Sequence, residues 1–258
     1  MQMFYFSGTG NSKYIAELFC EKYDASCHSI EEDIDFAALI SRTDTIGFCY
    51  PVYGSCVPRI MREFVTEHKG LLSEKKLIVF CTQLMFSGDG ARALTDLLDA
   101  DARRRVLYAE HFFMPNNICN FALFRIKNGE QNNAKLRKAN KKTDRVCHDL
   151  KRGKRVLRGF GVLSHVIGLS QSKFFPAMES NSRNDVSIDS DCIACGICAR
   201  LCPMHNLELT EQGVSQKGNC TLCYRCVNAC PKQAITVLIH KKPNVQYLGI
   251  GTIKKQEG

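Results

Sequence analysis

The chain has 258 residues, 45% hydrophobic and 24% charged, with a formal net charge of +9. That length and composition support one large domain, or a medium and a small one, with real cores, and they argue against a disordered chain. No stretch approaches the roughly 20 apolar residues of a membrane span, and the most apolar run, Gly159 to Leu169, is broken by Ser164 and His165.

In chain order, a strand-like run from Met3 to Phe6 comes almost at once. It leaves no room for a charged and then apolar leader, so the expected compartment is the cytoplasm. Ser7-Gly8-Thr9-Gly10-Asn11-Ser12 follows, then Ile15, Leu18 and Phe19 at helical spacing. Strand, loop and helix in that order make a phosphate site: glycines let the backbone turn, hydroxyls and amides donate hydrogen bonds, and the helix N-terminus adds partial positive charge. A Walker loop is excluded because no Gly-Lys-Ser/Thr ending is present. A dinucleotide fingerprint is excluded because Lys13 stands where its third glycine belongs.

The loop resembles the flavodoxin signature Ser/Thr-Gly-x-Gly-Asn-Ser/Thr, which wraps the terminal phosphate of FMN. The resemblance covers about Met1 to Leu150. It implies a flavodoxin-like, doubly wound parallel sheet of order 2-1-3-4-5, with FMN held by Ser7, Gly8, Thr9, Gly10, Asn11 and Ser12. Further strand-like runs at Ser26 to Ile30, Thr45 to Tyr50, Leu77 to Cys81 and Val106 to Phe113, separated by helix-compatible segments, fit an α/β alternation. Ligands of such sheets sit beyond the strands' carboxyl ends, so the loops after the first, third and fourth strands are expected to converge.

After the third strand, Pro51 to Pro58 offers Val52, Tyr53 and Gly54 to the flavin ring, with Tyr53 as the stacking candidate. After the fourth, Thr82 is expected at the ring's polar edge. Many flavodoxins place a tryptophan there, and this chain has none. Cys56, His111 and Asn116 are candidates to line a substrate pocket, should the flavin serve a specific reductase.

From Lys135 to Arg158 eleven Lys and Arg stand against Asp144 and Asp149. Ala139, Thr143, Val146 and Leu150 share one helical stripe, so this segment reads as a last helix packed on the sheet. Its basic face is either solvated or a docking surface for an acidic redox partner. No nucleic-acid module or aromatic platform accompanies it, so nucleic acid is not expected. Gly153 to Pro176 reads as a connection with a short helix near Val162 to Leu169.

Near the C-terminus one cysteine grammar is written twice: Cys192, Cys195, Cys198, Cys202 and Pro203, then Cys220, Cys223, Cys226, Cys230 and Pro231. The other seven cysteines, Cys20, Cys27, Cys49, Cys56, Cys81, Cys119 and Cys147, are scattered singly, as expected of small buried hydrophobes in a reducing compartment. A pair of zinc sites would leave the third cysteine of each run surplus. The C-x2-C-x2-C-x3-C-P run is that of bacterial ferredoxins, in which the fourth cysteine serves the other cluster. On that pattern Cys192, Cys195, Cys198 and Cys230 hold one 4Fe-4S cluster, and Cys220, Cys223, Cys226 and Cys202 the second. Each fourth cysteine is expected to start a helix. Ala194, Gly196, Thr221 and Ala229 keep the backbone close around the clusters.

Asp191 to Ile235 thus resembles a two-cluster bacterial-type ferredoxin, a small α+β domain. The whole chain resembles the flavodoxin–ferredoxin fusion proteins of anaerobic bacteria and archaea, often called ferrodoxins. The expected domains are a flavodoxin-like domain at 1–155, a linker at 156–184, a ferredoxin-like domain at 185–239 and a peripheral tail at 240–258. The expected function is electron transfer between two 4Fe-4S clusters and FMN, to or from a redox partner protein or small electron acceptor. The alternative is an FMN-dependent reductase of one small organic substrate, fed by its own clusters.

Overall fold

The computed structural model of the chain describes residues 1–121, 125–127 and 130–250. It divides into two compact units, Met1–Met114 with Ala134–Phe175, and Pro115–Asn133 with Pro176–Gly258. The expected boundaries at 155 and 184 therefore do not mark the units, because a segment that follows the fifth strand packs with the C-terminal residues.

In the first unit, β1 (Gln2–Tyr5), α1 (Asn11–Tyr23), β2 (Ser26–Ser29), α2 (Phe36–Ser41), β3 (Thr45–Pro51), α3 (Arg59–Glu67), α4 (Lys69–Leu72) and β4 (Lys76–Gln83) follow in order. They are succeeded by α5 (Gly90–Leu98), α6 (Ala102–Arg105), β5 (Val106–Phe113), α7 (Glu130–Lys151), β6 (Val156–Leu157) and α8 (Val162–Ser172). All sheet pairings are parallel, in the order β2-β1-β3-β4-β5-β6. The doubly wound order expected from sequence is present, extended by the two-residue β6 inside the presumed linker. Central strands are covered on both faces, so β3 and β4 read as continuous apolar runs: Ile46, Phe48, Cys49, Tyr50 and Leu77 to Cys81 are all buried.

α7 carries the predicted stripe, with Ala139, Thr143 and Val146 buried. It is tied to α1 by Tyr14, whose hydroxyl donates to Asn140 Oδ1 at 2.7 Å, and by the Lys22 to Asp144 ion pair. Among the described residues no helix is long and apolar enough to cross a membrane.

The chain passes through α9 (Phe175–Asn181) into the second unit, where β7 (Ser187–Ile188) pairs antiparallel with β10 (Ile235–Thr236). Between them lie α10 (Ile197–Leu201), the antiparallel hairpin of β8 (Leu207–Thr210) and β9 (Gly213–Gln216), and α11 (Arg225–Ala229). Val186, Leu207, Leu222, Tyr224, Val227, Ile235 and Val237 form the core, and Ile118 and Cys119 pack against it. Asn120 secures that inserted segment by donating from Nδ2 to the carbonyls of Val237 at 2.9 Å and Ile239 at 2.6 Å.

The tail is not peripheral as far as Ile250. Tyr247 is 3% exposed, and Gln246 donates to the carbonyls of Val227 and Cys230 at 2.8 and 2.7 Å. The buried ring of Tyr247 and the two carbonyls near the end of α11 that Gln246 answers hold the chain there. Residues 251–258 lie outside the described residues.

Candidate functional site

The loop Ser7 to Ser12 occupies the carboxyl end of β1 and leads into α1, a helix of 13 residues. Gly10 is its N-cap, at φ +98°, a conformation that glycine adopts without strain. A Cβ there would meet nothing within 4 Å, so the loop is open on that side of Gly10. Ser7 accepts from the Gly10 amide at 3.0 Å and shapes the turn. Lys13 pairs with Glu17 at 3.6 Å along the helix. The donor set is therefore neutral hydroxyls and amides at a positive helix end, which fits a phosphate monoester.

Ser12 and Thr82 share a hydrogen bond of 2.7 Å, joining the loop to the end of β4. The Val52 amide donates to the Thr82 carbonyl at 2.9 Å, bringing the loop after β3 alongside. The start of α1, the residue after β3 and the end of β4 thus meet at one end of the sheet. Tyr53 and Cys56 close the loop after β3 by reciprocal backbone hydrogen bonds of 3.1 and 2.9 Å.

A second layer over these loops was not foreseen. α8 lies across them: Gly168 abuts Asp89 and the backbone of Gly88, leaving no room for a side chain. The Gly88 amide donates to Ser55 Oγ at 2.9 Å and to Gln171 Oε1 at 3.2 Å, while Ser55 donates to the same Gln171 oxygen. His165 Nδ1 lies 2.9 Å from Asp89 Oδ2. Phe175 then covers the loop tip, its ring 6.2 Å from that of Tyr53 and in contact with Gly54 at φ +54°. A glycine in mid-helix at position 168 was the available sequence signal.

His111 is 3% exposed, packed between Gly90 and Gly159, and its Nε2 has no hydrogen-bond partner. Burial, aided by Arg158 and Lys142 and opposed by Glu110, lowers its pKa to about 4. Asn116 belongs to the second unit, where its Oδ1 accepts from the Ile118 amide at 3.0 Å.

The basic stretch has an internal use. Glu110, 1% exposed, is met by Lys142 at 3.2 Å, Arg145 at 3.0 Å and Arg158 at 2.5 Å. A buried carboxylate needs such partners. Lys154 pairs with Asp149 at 3.2 Å, and Arg155 caps the carbonyl of Val106 at 2.8 Å. Arg137, Lys138, Lys141, Lys151 and Arg152 remain exposed.

In the second unit the eight cysteines divide four and four. Cys192, Cys195, Cys198 and Cys230 line one cavity, with Ile193, Val214 and Ile235. Cys202, Cys220, Cys223 and Cys226 line another, with Leu207, Leu222 and Val237. Each set takes three thiols from one run and one from the other, and no carboxylate or imidazole joins either wall. Four convergent sulfurs in an apolar shell fit an iron–sulfur cluster.

The two sites repeat one backbone. Positive φ falls two and four residues beyond the first cysteine of each run, at Ala194 (50°) and Gly196 (70°), and at Leu222 (56°) and Tyr224 (61°). It falls again three residues beyond each fourth cysteine, at His205 and Gln233. Such left-handed residues turn successive amides inward. Amides of Asn206, Leu222 and Ala234 donate to Cys202 Sγ at 3.2 Å, Cys220 Sγ at 3.4 Å and Cys230 Sγ at 3.3 Å. The fourth cysteines do not start helices, as had been expected. Cys202 and Cys230 terminate α10 and α11 in extended conformation, which is how they swing away from their own runs.

Burial raises the thiol pKa of Cys223 to about 12, and raises those of Cys198 and Cys226 as well. Cys195 by contrast is exposed, beside Ile193 at 57% exposure.

A family model described as a flavodoxin domain matches residues 2–147, and one described as a 4Fe-4S dicluster domain matches residues 191–234. A ferredoxin of Pyrobaculum islandicum is 39% identical over 64 residues, which are 24% of this chain and 60% of that protein. A ferredoxin of Methanothermococcus thermolithotrophicus is 43% identical over 45 residues, 17% of this chain and 75% of that protein. The chain thus spans less than two thirds of the first of these relatives. Among solved structures, two-electron reduced flavodoxin of Megasphaera elsdenii is similar with TM-score 0.38 and 20% identity, over 55% of this chain and 98% of that one. A WrbA-like flavodoxin of Agrobacterium tumefaciens is similar with TM-score 0.36 and 17% identity, over 59% and 98%.

Proposed function

From the premise that the chain belongs to the flavodoxin domain family and carries a 4Fe-4S dicluster domain near its C-terminus, we propose that it is an electron-transfer protein with two 4Fe-4S clusters and one FMN. It exchanges electrons with a redox partner protein or a small acceptor. When bound, the clusters pass single electrons and the flavin takes one or two, which makes such a chain a converter between the two kinds of chemistry. The observation that carries the reading is the division of eight cysteines into two sets of four around separate apolar cavities.

Cys192, Cys195, Cys198 and Cys230 would hold one cluster, and Cys202, Cys220, Cys223 and Cys226 the other. The inward amides at Asn206, Leu222 and Ala234 stabilise negative charge on the sulfurs, and the aliphatic walls exclude water, the two levers that set cluster potential. Exposed Cys195 and Ile193 make the first set the outward one, where a partner would approach.

In the first unit Ser7, Gly8, Thr9, Gly10, Asn11 and Ser12 would hold the FMN phosphate. Val52, Tyr53, Gly54 and Thr82 would stand at its ring. The carrier reading is preferred to a substrate reductase because the expected pocket groups have other uses. His111 is sealed beneath glycines, Asn116 closes a turn in the second unit, and Cys56 pairs with Tyr53 through its backbone.

The test is anaerobic purification with iron, sulfide and flavin measured on one sample, followed by dithionite titration. Iron and sulfide at about eight per chain with about one FMN are expected. Iron at half that level, or no flavin, overturns the assignment of the corresponding site.

A further inference from the structure

On the face of the sheet covered by α7, at the carboxyl end of β4 and β5, the first unit contains a cavity of about 370 Å³. Its apolar lining is Leu84, Phe112 and Phe113, and its polar lining is Lys135, Lys138 and Lys142. The lysines recur at one face of α7, three and four residues apart, with Ala139 between them leaving room. Among the described residues no carboxylate lines the cavity; Lys142 also meets Glu110 at 3.2 Å and donates to the His111 carbonyl at 2.7 Å, and Lys135 donates to the Met114 carbonyl at 3.2 Å.

The two kinds of lining are placed for one ligand. Lys142 Nζ lies 5.9 Å from the Phe113 ring centre, so the ammonium and that ring border the same space, while Phe112, 1% exposed and packed on Phe80, forms the floor. Phe113 stays 48% exposed, a large apolar surface left at the cavity. Lys138 reaches it from an exposed position. A flat ring would cover Phe113, and an acidic group on that ring would meet Lys138, whose exposed ammonium stands beside it.

Size narrows the class further. Pockets for small ligands run from about 300 to 1,000 Å³, and this one is near the lower bound, which suits one or two rings and excludes a dinucleotide. We propose that this cavity binds a planar aromatic anion of one or two rings, carrying a carboxylate or a phosphate monoester. None of its residues belongs to the cysteine sets, to the loop Ser7 to Ser12 or to the ring candidates Val52, Tyr53, Gly54 and Thr82, although Leu84 follows β4 closely.

The experiment is calorimetric titration of the full-length protein, with its flavin and iron contents measured, using naphthoate and naphthyl phosphate as probes. One probe molecule per chain is expected, and the tighter of the two identifies the acidic group. Lys138→Ala and Phe113→Ala, both at exposed positions, should each weaken binding roughly tenfold with flavin and iron contents unchanged. Neutral naphthylmethanol and inorganic phosphate should each bind at least about tenfold more weakly than the acid. Absence of binding by both acids, equal binding of naphthylmethanol, or affinities unchanged in both variants overturns the proposal.

Discussion

Gly196 and Tyr224 occupy the same place in the two cysteine runs and share one left-handed backbone, at φ 70° and 61°. Glycine adopts that conformation freely, whereas tyrosine is strained there by about 1–2 kcal/mol. Tyr224 is nevertheless 6% exposed and part of the core, so its packing outweighs the strain.

The strain is separable from packing at Ala194, which has φ 50° and an exposed side chain. Ala194→Gly should raise the free energy of unfolding by up to about 1 kcal/mol after the entropy of glycine is offset. Tyr224→Gly should lower it by several kcal/mol through loss of the buried ring. Anaerobic thermal unfolding of the two variants gives the comparison, and an unstable Ala194→Gly protein would argue against backbone strain at this turn.

Cys195→Ser removes one sulfur of the outward set without touching the other. It should lower iron and sulfide by up to half while flavin content stays constant. Cys20→Ser, a change at a buried thiol of the first unit, should leave iron unaltered. Metal and flavin analysis of the purified variants distinguishes the two.

Thr82→Val removes the hydroxyl that meets Ser12 at 2.7 Å and keeps the shape of the side chain. FMN affinity should fall roughly tenfold, the size of one lost hydrogen bond and a loosened loop. Fluorescence titration of the flavin-free protein measures it, with unchanged iron content as the control.

His111 makes the first unit acid-sensitive. Its pKa is lowered in the fold to about 4 from 6.5, so it is neutral when folded and binds a proton more readily when unfolded. Its contribution is therefore complete above pH 6.5 and is lost as pH falls toward 4, on the order of 3 kcal/mol in all. His111→Leu should flatten that limb of a stability against pH curve, and should cost little at neutral pH because Nε2 has no partner to lose.

Gly168 lets α8 lie against Gly88 and Asp89. Gly168→Val should force them apart, destabilise the first unit by about 1–3 kcal/mol and expose α8 to protease. Limited proteolysis with mapping of the cut within residues 162–175 reports it, and an unchanged cleavage pattern would contradict the close packing.

What the sequence made legible followed from short-range rules. Apolar runs located all five principal strands, and cysteine spacing marked out the eight residues that line the two cavities of the second unit, because both signals depend on residues close together in the chain. The path of residues 115–121 was hidden, since Asn117 and Asn120 find their partners more than a hundred positions later. The cover of α8 over the loops after β3 and β4 was equally hidden, because it depends on Gly168 and Gln171 meeting Gly88, a contact no local pattern encodes. The buried Glu110 also changed the meaning of the basic stretch: three of its cations serve the interior.

The chain's three passages between units, at Met114, Asn133 and Phe175, bear on how it is made and how it can be cut. Residues 115–121 leave the ribosome well before Val237 and Ile239, the carbonyls that Asn120 answers, have been synthesised. The first unit therefore folds around a segment whose own partners arrive last. A gene split after residue 155 yields neither half intact, since the N-terminal product carries part of the iron–sulfur unit and the C-terminal product lacks it while retaining α8. The two units are consequently to be expressed and engineered as one piece.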